Sequence, residues 1–195
     1  MRRRAGSSGR RDRDRRARVI GVLVSGEGTN LQALIDAGLP IVAVASNRAE
    51  AGALARAEEA GIPNRVFDLD SYPDRAARDR ELADWLQLRG VDFVVLAGYM
   101  HLLTQALLGP FRNRIVNVHP SLLPQFPGAQ AIADALAAGV DVTGVTVHYV
   151  DEGLDTGAVI RQEAVAVEPR ATLVERIHAV EHRILPEVVS ELCAR

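Results

Sequence analysis

Short β-branched runs and amphipathic stretches take turns along this chain, and that alternation limits its fold more than any other feature. Strand-like runs stand at residues 19–24, 41–45, 93–97 and 115–118, and helix-like runs follow them at 31–37, 52–60, 75–89 and 104–108. A strand that returns through a helix to a neighbouring strand makes a parallel pair. Repetition of the unit builds an α/β sheet with helices on both faces. In the 75–89 run, Leu82, Trp85, Leu86 and Leu88 fall roughly on one face, and Asp74 is the expected N-cap.

The later part changes character. Apolar runs at 143–150 and 158–167 flank a loop rich in Gly and Asp, which predicts two neighbouring strands at one side of the sheet, with an antiparallel strand there. A last helix is expected over 173–193, with a kink at Pro186. The fold class expected is therefore Rossmann-like: a mostly parallel sheet, helices on both faces, and an antiparallel strand near the C-terminal part.

A chain of 195 residues that is 48% hydrophobic is long enough to bury one core. Aromatic residues are only 4%, so Ala, Val and Leu must fill it. One cysteine, Cys193, rules out a disulfide framework within the chain and fits a reducing, cytoplasmic setting. No apolar run is long enough to span a bilayer, so no membrane partner is expected. The charge is uneven. Residues 1–18 carry nine Arg and two Asp, a net +7, and the remainder carries a net −9. The segment 1–17 lacks apolar residues that could build a core, and reads as a disordered basic extension before a single domain at 18–195. Nucleic acid is not expected as its partner. All 23 basic residues are Arg, so lysine Schiff-base chemistry is excluded. The five His and one Cys show no ligand spacing, and no metal site is expected.

Three loops at strand ends carry chemistry. In the first, strand 19–24 runs into Ser25-Gly26-Glu27-Gly28-Thr29-Asn30 and then a helix. A helix N-terminus offers unpaired N–H groups and partial positive charge, which suits a phosphate. Glycine at 26 and 28 lets the backbone approach it. The loop lacks the third glycine of a dinucleotide fingerprint and the Gly-Lys pair of a P-loop, so it reads as a monophosphate cradle held by Gly28, Thr29 and Asn30. A plain capped helix, with Thr29 or Asn30 at the cap, is the alternative.

The second loop follows strand 115–118. Asn117 and His119 are two residues apart on an extended chain, so they share a face, and Pro120 ends the strand. An amide and an imidazole side by side can donate to one developing oxyanion. The third loop, 151–157, holds Asp155, placed to orient a nearby imidazole and favour its charged form. His148, alternating on a strand, reads as structural.

These segments together resemble the glycinamide ribonucleotide formyltransferase family, folate-dependent enzymes of purine synthesis. The stretches that carry the resemblance are VLVSGEGTNLQALID, VVLAGYMHLLT, RIVNVHPSLLPQFPG, VTGVTVHYVDEGLDTGAVI and VEHRILP, spread from about Arg18 to the C-terminus. The resemblance implies a formyltransferase fold and the transfer of a formyl group from 10-formyltetrahydrofolate to 5'-phosphoribosylglycinamide. It implies catalysis by Asn117, His119 and Asp155, and phosphate binding by Gly28, Thr29 and Asn30. Glu181 would contact the ribose hydroxyls. Arg75, Met100, His101, Leu102 and Leu103, with Asn117, would hold the folate, the 100–103 segment through its backbone. Relatives often carry Arg where His101 stands. The partners implied are small molecules, and the chain would act as a monomer or homodimer.

Two rivals remain. One is another formyl-folate reaction, formylation of methionyl-tRNA or hydrolysis of the formyl-folate. Those enzymes carry a further C-terminal or N-terminal domain that this sequence is not expected to have. The other is a non-catalytic binding module, which would have no need of the Asn117, His119 and Asp155 trio.

Overall fold

The computed structural model describes residues 17–194, so the basic extension expected over 1–17 falls outside the described residues but for Ala17. Seven strands form one sheet in the order β3-β2-β1-β4-β5-β6-β7. They are β1 (Ile20–Val24), β2 (Ile41–Ser46), β3 (Asn64–Val66), β4 (Phe93–Leu96), β5 (Ile115–His119), β6 (Val142–Tyr149) and β7 (Val159–Ala166). Strands β1 to β5 pair parallel, and β6 runs antiparallel to both β5 and β7. The expected parallel sheet and its antiparallel strand are both present. Among the described residues the α-helices are α1 (Thr29–Asp36), α2 (Gly52–Glu59), α3 (Arg75–Leu88), α4 (Gln105–Leu108), α5 (Ala131–Ala138) and α6 (Leu173–Ala194).

Alternation along each strand divides the apolar residues between two faces. Ile20, Val22 and Val24 of β1 pack in one core with Leu31 and Leu34 of α1 and with Ile177, Ile184 and Val188 of α6. Leu23 faces the other core, with Leu82 and Leu86 of α3 and Leu107 of α4. In β5, Val116 and Val118 join the first core and Ile115 the second. Asn117 and His119 therefore lie on the α3–α4 side, at the carboxyl end of the strand.

Several local expectations are refined. Asp74 caps α3, its carboxylate accepting from Ala77 N–H at 2.7 Å. Leu82 and Leu86 of that helix are buried, but Leu88 is 87% exposed and belongs to no core. Its place on the buried arc is taken by Arg78 and Asp79. Helix α6 runs unbroken through Pro186. Strand β3 and helix α5 have no counterpart in the sequence patterns. One is three residues long, and the other, AIADALAA, is nearly featureless in polarity.

At the outer flank, β7 is tied to α6 by charge. Arg161 pairs with Glu187 at 2.9 Å and Glu191 at 2.7 Å, and Arg183 of α6 reaches Glu163.

Candidate active site

The carboxyl ends of β1, β4 and β5 open into a cleft of about 720 Å³. The sheet order reverses between β1 and β4, and open α/β sheets take ligands in such a crevice. Gly28, Thr29, Asn30, Arg75, Met100, His101, Leu102, Leu103, Asn117, His119, Asp155 and Glu181 all line it. Every residue singled out from the sequence is thus in one place.

The Asn117, His119 and Asp155 trio is joined by a fourth side chain. Asp155 lies between two imidazoles, with Oδ2 3.5 Å from His119 Nδ1 and Oδ1 3.6 Å from His148 Nε2. Gly128 N–H donates to Asp155 Oδ2 at 2.8 Å. Burial pushes the Asp155 carboxyl up, but His148, the Gly128 N–H and the His119 charge outweigh it, and the pKa falls below its ordinary value. His119 Nε2 stands 2.8 Å from the Phe126 carbonyl. Each nitrogen of the His119 ring faces an acceptor, an arrangement that an imidazolium satisfies with two donors.

His148 is a partner of the site rather than a structural residue alone. Its Nδ1 donates to the Tyr149 carbonyl at 2.8 Å, and its Nε2 faces both Asn117 Nδ2 at 3.2 Å and Asp155 Oδ1 at 3.6 Å. The β5–β6 register sets the two residues directly opposite one another. Thr146, opposite His119 in the same ladder, ties down the loop beyond the strand. Its hydroxyl donates to Ser121 O at 2.6 Å and accepts from Leu123 N–H at 3.1 Å.

At the first loop, Gly28 rather than Thr29 or Asn30 is the N-cap of α1, and no side chain caps it. The first-turn N–H groups are left for another acceptor. Gly28 is left-handed, with φ 75°, and a Cβ there would meet Ala53 Cβ at 2.5 Å. Its glycine is therefore required by the packing of α1 on α2, apart from any ligand. Gly26 has no such neighbour.

Asn30 Nδ2 donates to Glu181 Oε2 at 3.1 Å, while Asn30 Oδ1 is buried without a partner. Glu181 is buried in α6, not a helix-surface charge. Its desolvation, only partly offset by Asn30, raises its pKa from 4.5 to about 7.

The segment after β4 is pinned at both ends. Met100 N–H donates to Ser25 Oγ at 2.8 Å, and that hydroxyl donates to Asn47 Oδ1 at 2.6 Å. Thr104 N–H donates to Asp79 Oδ2 at 2.7 Å. Between these anchors Met100 and Leu102 are exposed, leaving apolar surface at the cleft wall.

A parallel sheet with one reversed strand and an Asn-His-Asp cluster at its carboxyl edge defines an α/β group-transfer enzyme. The family model described as "Formyl transferase" matches residues 18–189, and the chain belongs to that family. It is 40% identical over 182 residues to the phosphoribosylglycinamide formyltransferase of Bacillus subtilis, covering 88% of this chain and 92% of that protein. It is 45% identical to the trifunctional purine biosynthetic protein adenosine-3 of Drosophila pseudoobscura pseudoobscura. There the match covers 90% of this chain but 14% of the longer protein. The crystal structure of glycinamide ribonucleotide transformylase 1 from Geobacillus kaustophilus superposes with a TM-score of 0.88 at 45% identity, over 91% of this chain and 100% of that one.

Proposed function

We propose that this chain transfers the formyl group of 10-formyltetrahydrofolate to the amine of 5'-phosphoribosylglycinamide, giving formylglycinamide ribonucleotide and tetrahydrofolate in de novo purine (IMP) biosynthesis. The observation that carries this reading is the convergence of Asn117, His119 and Asp155 with an uncapped helix N-terminus and an apolar wall in one cleft. Membership of the formyl transferase family supports the reaction class, and the Bacillus subtilis relative supports the choice of acceptor.

In this reading the substrate phosphate binds at Gly28, Thr29 and Asn30, and Glu181 accepts from the ribose hydroxyls. The folate binds along Met100 to Leu103, with Arg75 toward its tail. The amine attacks the formyl carbon, the C=O electrons move onto oxygen, and the carbon becomes tetrahedral. Asn117 Nδ2 has two N–H groups, one turned to His148 and one free for the oxyanion. In this reading His119 favours the same oxyanion as an imidazolium and serves the proton balance through Nδ1, which stands 3.5 Å from Asp155 and is the less tightly engaged of its two nitrogens. One proton leaves the attacking amine and one reaches the departing folate nitrogen as the C–N bond breaks. Holding both substrates in one cleft supplies much of the acceleration. Asp155 orients His119 and stabilises its charge, and His148 orients Asn117.

The substrates of this reading are small molecules, and it requires neither nucleic acid nor membrane. It sets the chain in the cytoplasm as a monomer or homodimer. Residues 1–17 are taken as an extension of the domain at 18–195. Release of tetrahydrofolate from the formyl-folate, measured with and without glycinamide ribonucleotide, tests the reading. Release only with the ribonucleotide is expected. Release without it would mean a hydrolase, and no release would mean a binding module.

A further inference from the structure

Behind the cleft wall lies a buried ion pair that the transfer chemistry does not use. Arg78 and Asp79, neighbours on α3, both have side chains at 0% exposure. Two charges sealed from water persist only where their hydrogen bonds are supplied internally. Asp79 Oδ1 accepts from Arg78 Nε at 2.9 Å and Nη2 at 2.6 Å, and its Oδ2 holds Thr104 N–H. The remaining Arg78 nitrogen, Nη1, stands 2.5 Å from Nδ1 of His101.

That contact fixes the chemistry of the imidazole. A guanidinium has only donors, so His101 Nδ1 must be the acceptor and carries no proton. The ring is then neutral, and its one N–H is on Nε2, the nitrogen that Arg78 does not hold. A second proton would set N–H against N–H and positive charge against positive charge. His101 lines the cleft between the two anchors of its segment.

We propose that Arg78 is a positioning residue for the folate side of the cleft, locking His101 as the neutral Nε2–H tautomer so that the wall offers the formyl-folate an uncharged donor. This rests on the formyl-folate reading of the cleft given above. The charged groups around the ring agree with it. Arg78 and Arg75 face it from α3, Asp79 lies behind Arg78, and Asp68 acts from the loop before α3, while Tyr99 packs edge-on at 6.0 Å. Burial and the two arginines lower the His101 pKa, and the two aspartates do not reverse this.

The tautomer can be read in the parent protein. Long-range ¹H–¹⁵N spectra of histidine-labelled protein between about pH 5.5 and about pH 8 report each ring nitrogen, with His101→Gln giving the assignment. An Nε2–H ring, neutral across that range down to below about 6.5, is expected. An Nδ1–H ring, or one charged at pH 7, overturns the proposal. Steady-state kinetics supply the second arm. His101→Leu should raise KM for formyl-folate about three- to tenfold, with the change confined to that KM, and His101→Gln should restore most of the loss by returning an N–H donor. Equal losses for both substrates, or no rescue by Gln, also overturn it. Arg78→Gln, where it folds, should bring the Nδ1–H form into the spectra. Absence of transfer by a protein with the expected tautomer would sink the formyl-folate reading and its ligand. Normal transfer with the wrong tautomer would sink the lock alone.

Discussion

Asp155 holds two histidines at once, His119 at 3.5 Å through Oδ2 and His148 at 3.6 Å through Oδ1. In the proposed reaction one carboxylate would govern both the imidazole that meets the oxyanion and the imidazole that orients the amide beside it. Asp155→Asn keeps the shape and removes the charge. We expect turnover to fall on the order of a hundredfold or more, with both KM values changed much less. His119→Ala should be similarly damaging, and the double variant little worse than the worse single one. Independent multiplication of the two losses would mean that His119 acts without Asp155. The lowered Asp155 pKa also has a sign. The stability contributed by the ionised carboxylate is present above its unfolded value and is lost as pH falls through the lower folded one.

His148→Phe should lower kcat on the order of ten- to a hundredfold by freeing Asn117 from its ring partner. Combined with Asn117→Ala it should add little. A double variant far slower than Asn117→Ala would show that His148 acts chiefly through Asp155.

Glu181 gives the opposite pH trend. Its folded pKa, about 7, lies above the ordinary 4.5, so the unfolded chain loses its proton first as pH rises. Stability contributed by the protonated acid is full below the lower value and is lost through the upper one. The difference corresponds to about 3 kcal/mol at most. Ligand-free Glu181→Gln should therefore match the parent in urea unfolding near pH 4.5 and exceed it near pH 8. Equal stabilities at the higher pH would show that the carboxylate is hydrated when ionised.

The two glycines of the first loop separate structure from binding. Gly28→Ala should cost about 1–3 kcal/mol of stability, because the residue is left-handed and abuts Ala53. Gly26→Val meets nothing within 4 Å, so its melting temperature should stay within about 2 °C of the parent. Calorimetric titration should nevertheless show weaker ribonucleotide binding and unchanged folate binding. Equal loss of both ligands would remove the phosphate role from this loop.

Much of the site could be read from the sequence because three of its loops follow strands and carry short local signatures. Asn117 and His119 share a face by period alone, and Asp74 caps its helix through a contact three residues away. What could not be read depends on distance along the chain. His148 acquires its partner only through a ladder register spanning 31 residues. Arg78 and Asp79 look like solvated helix charges until the 98–104 segment folds over them. Leu88 reads as apolar face although α3 turns it to water. Gly28 reads as a ligand glycine, yet its main constraint is a neighbour on α2.

The outer strand β7, with its charged ties to α6, also bears on how the molecule behaves in a crowded solution. An open sheet has two raw margins, and each is a template onto which a stray strand could grow. Here the β3 margin is only three residues long. The β7 margin carries Arg161 and Glu163, already committed to partners on α6. An incoming strand at β7 would have to lay its side chains against groups that already carry water and counter-charge. The charged face of β7 thus works against edge-to-edge polymerisation at that flank, a need that charge can meet as well as cover.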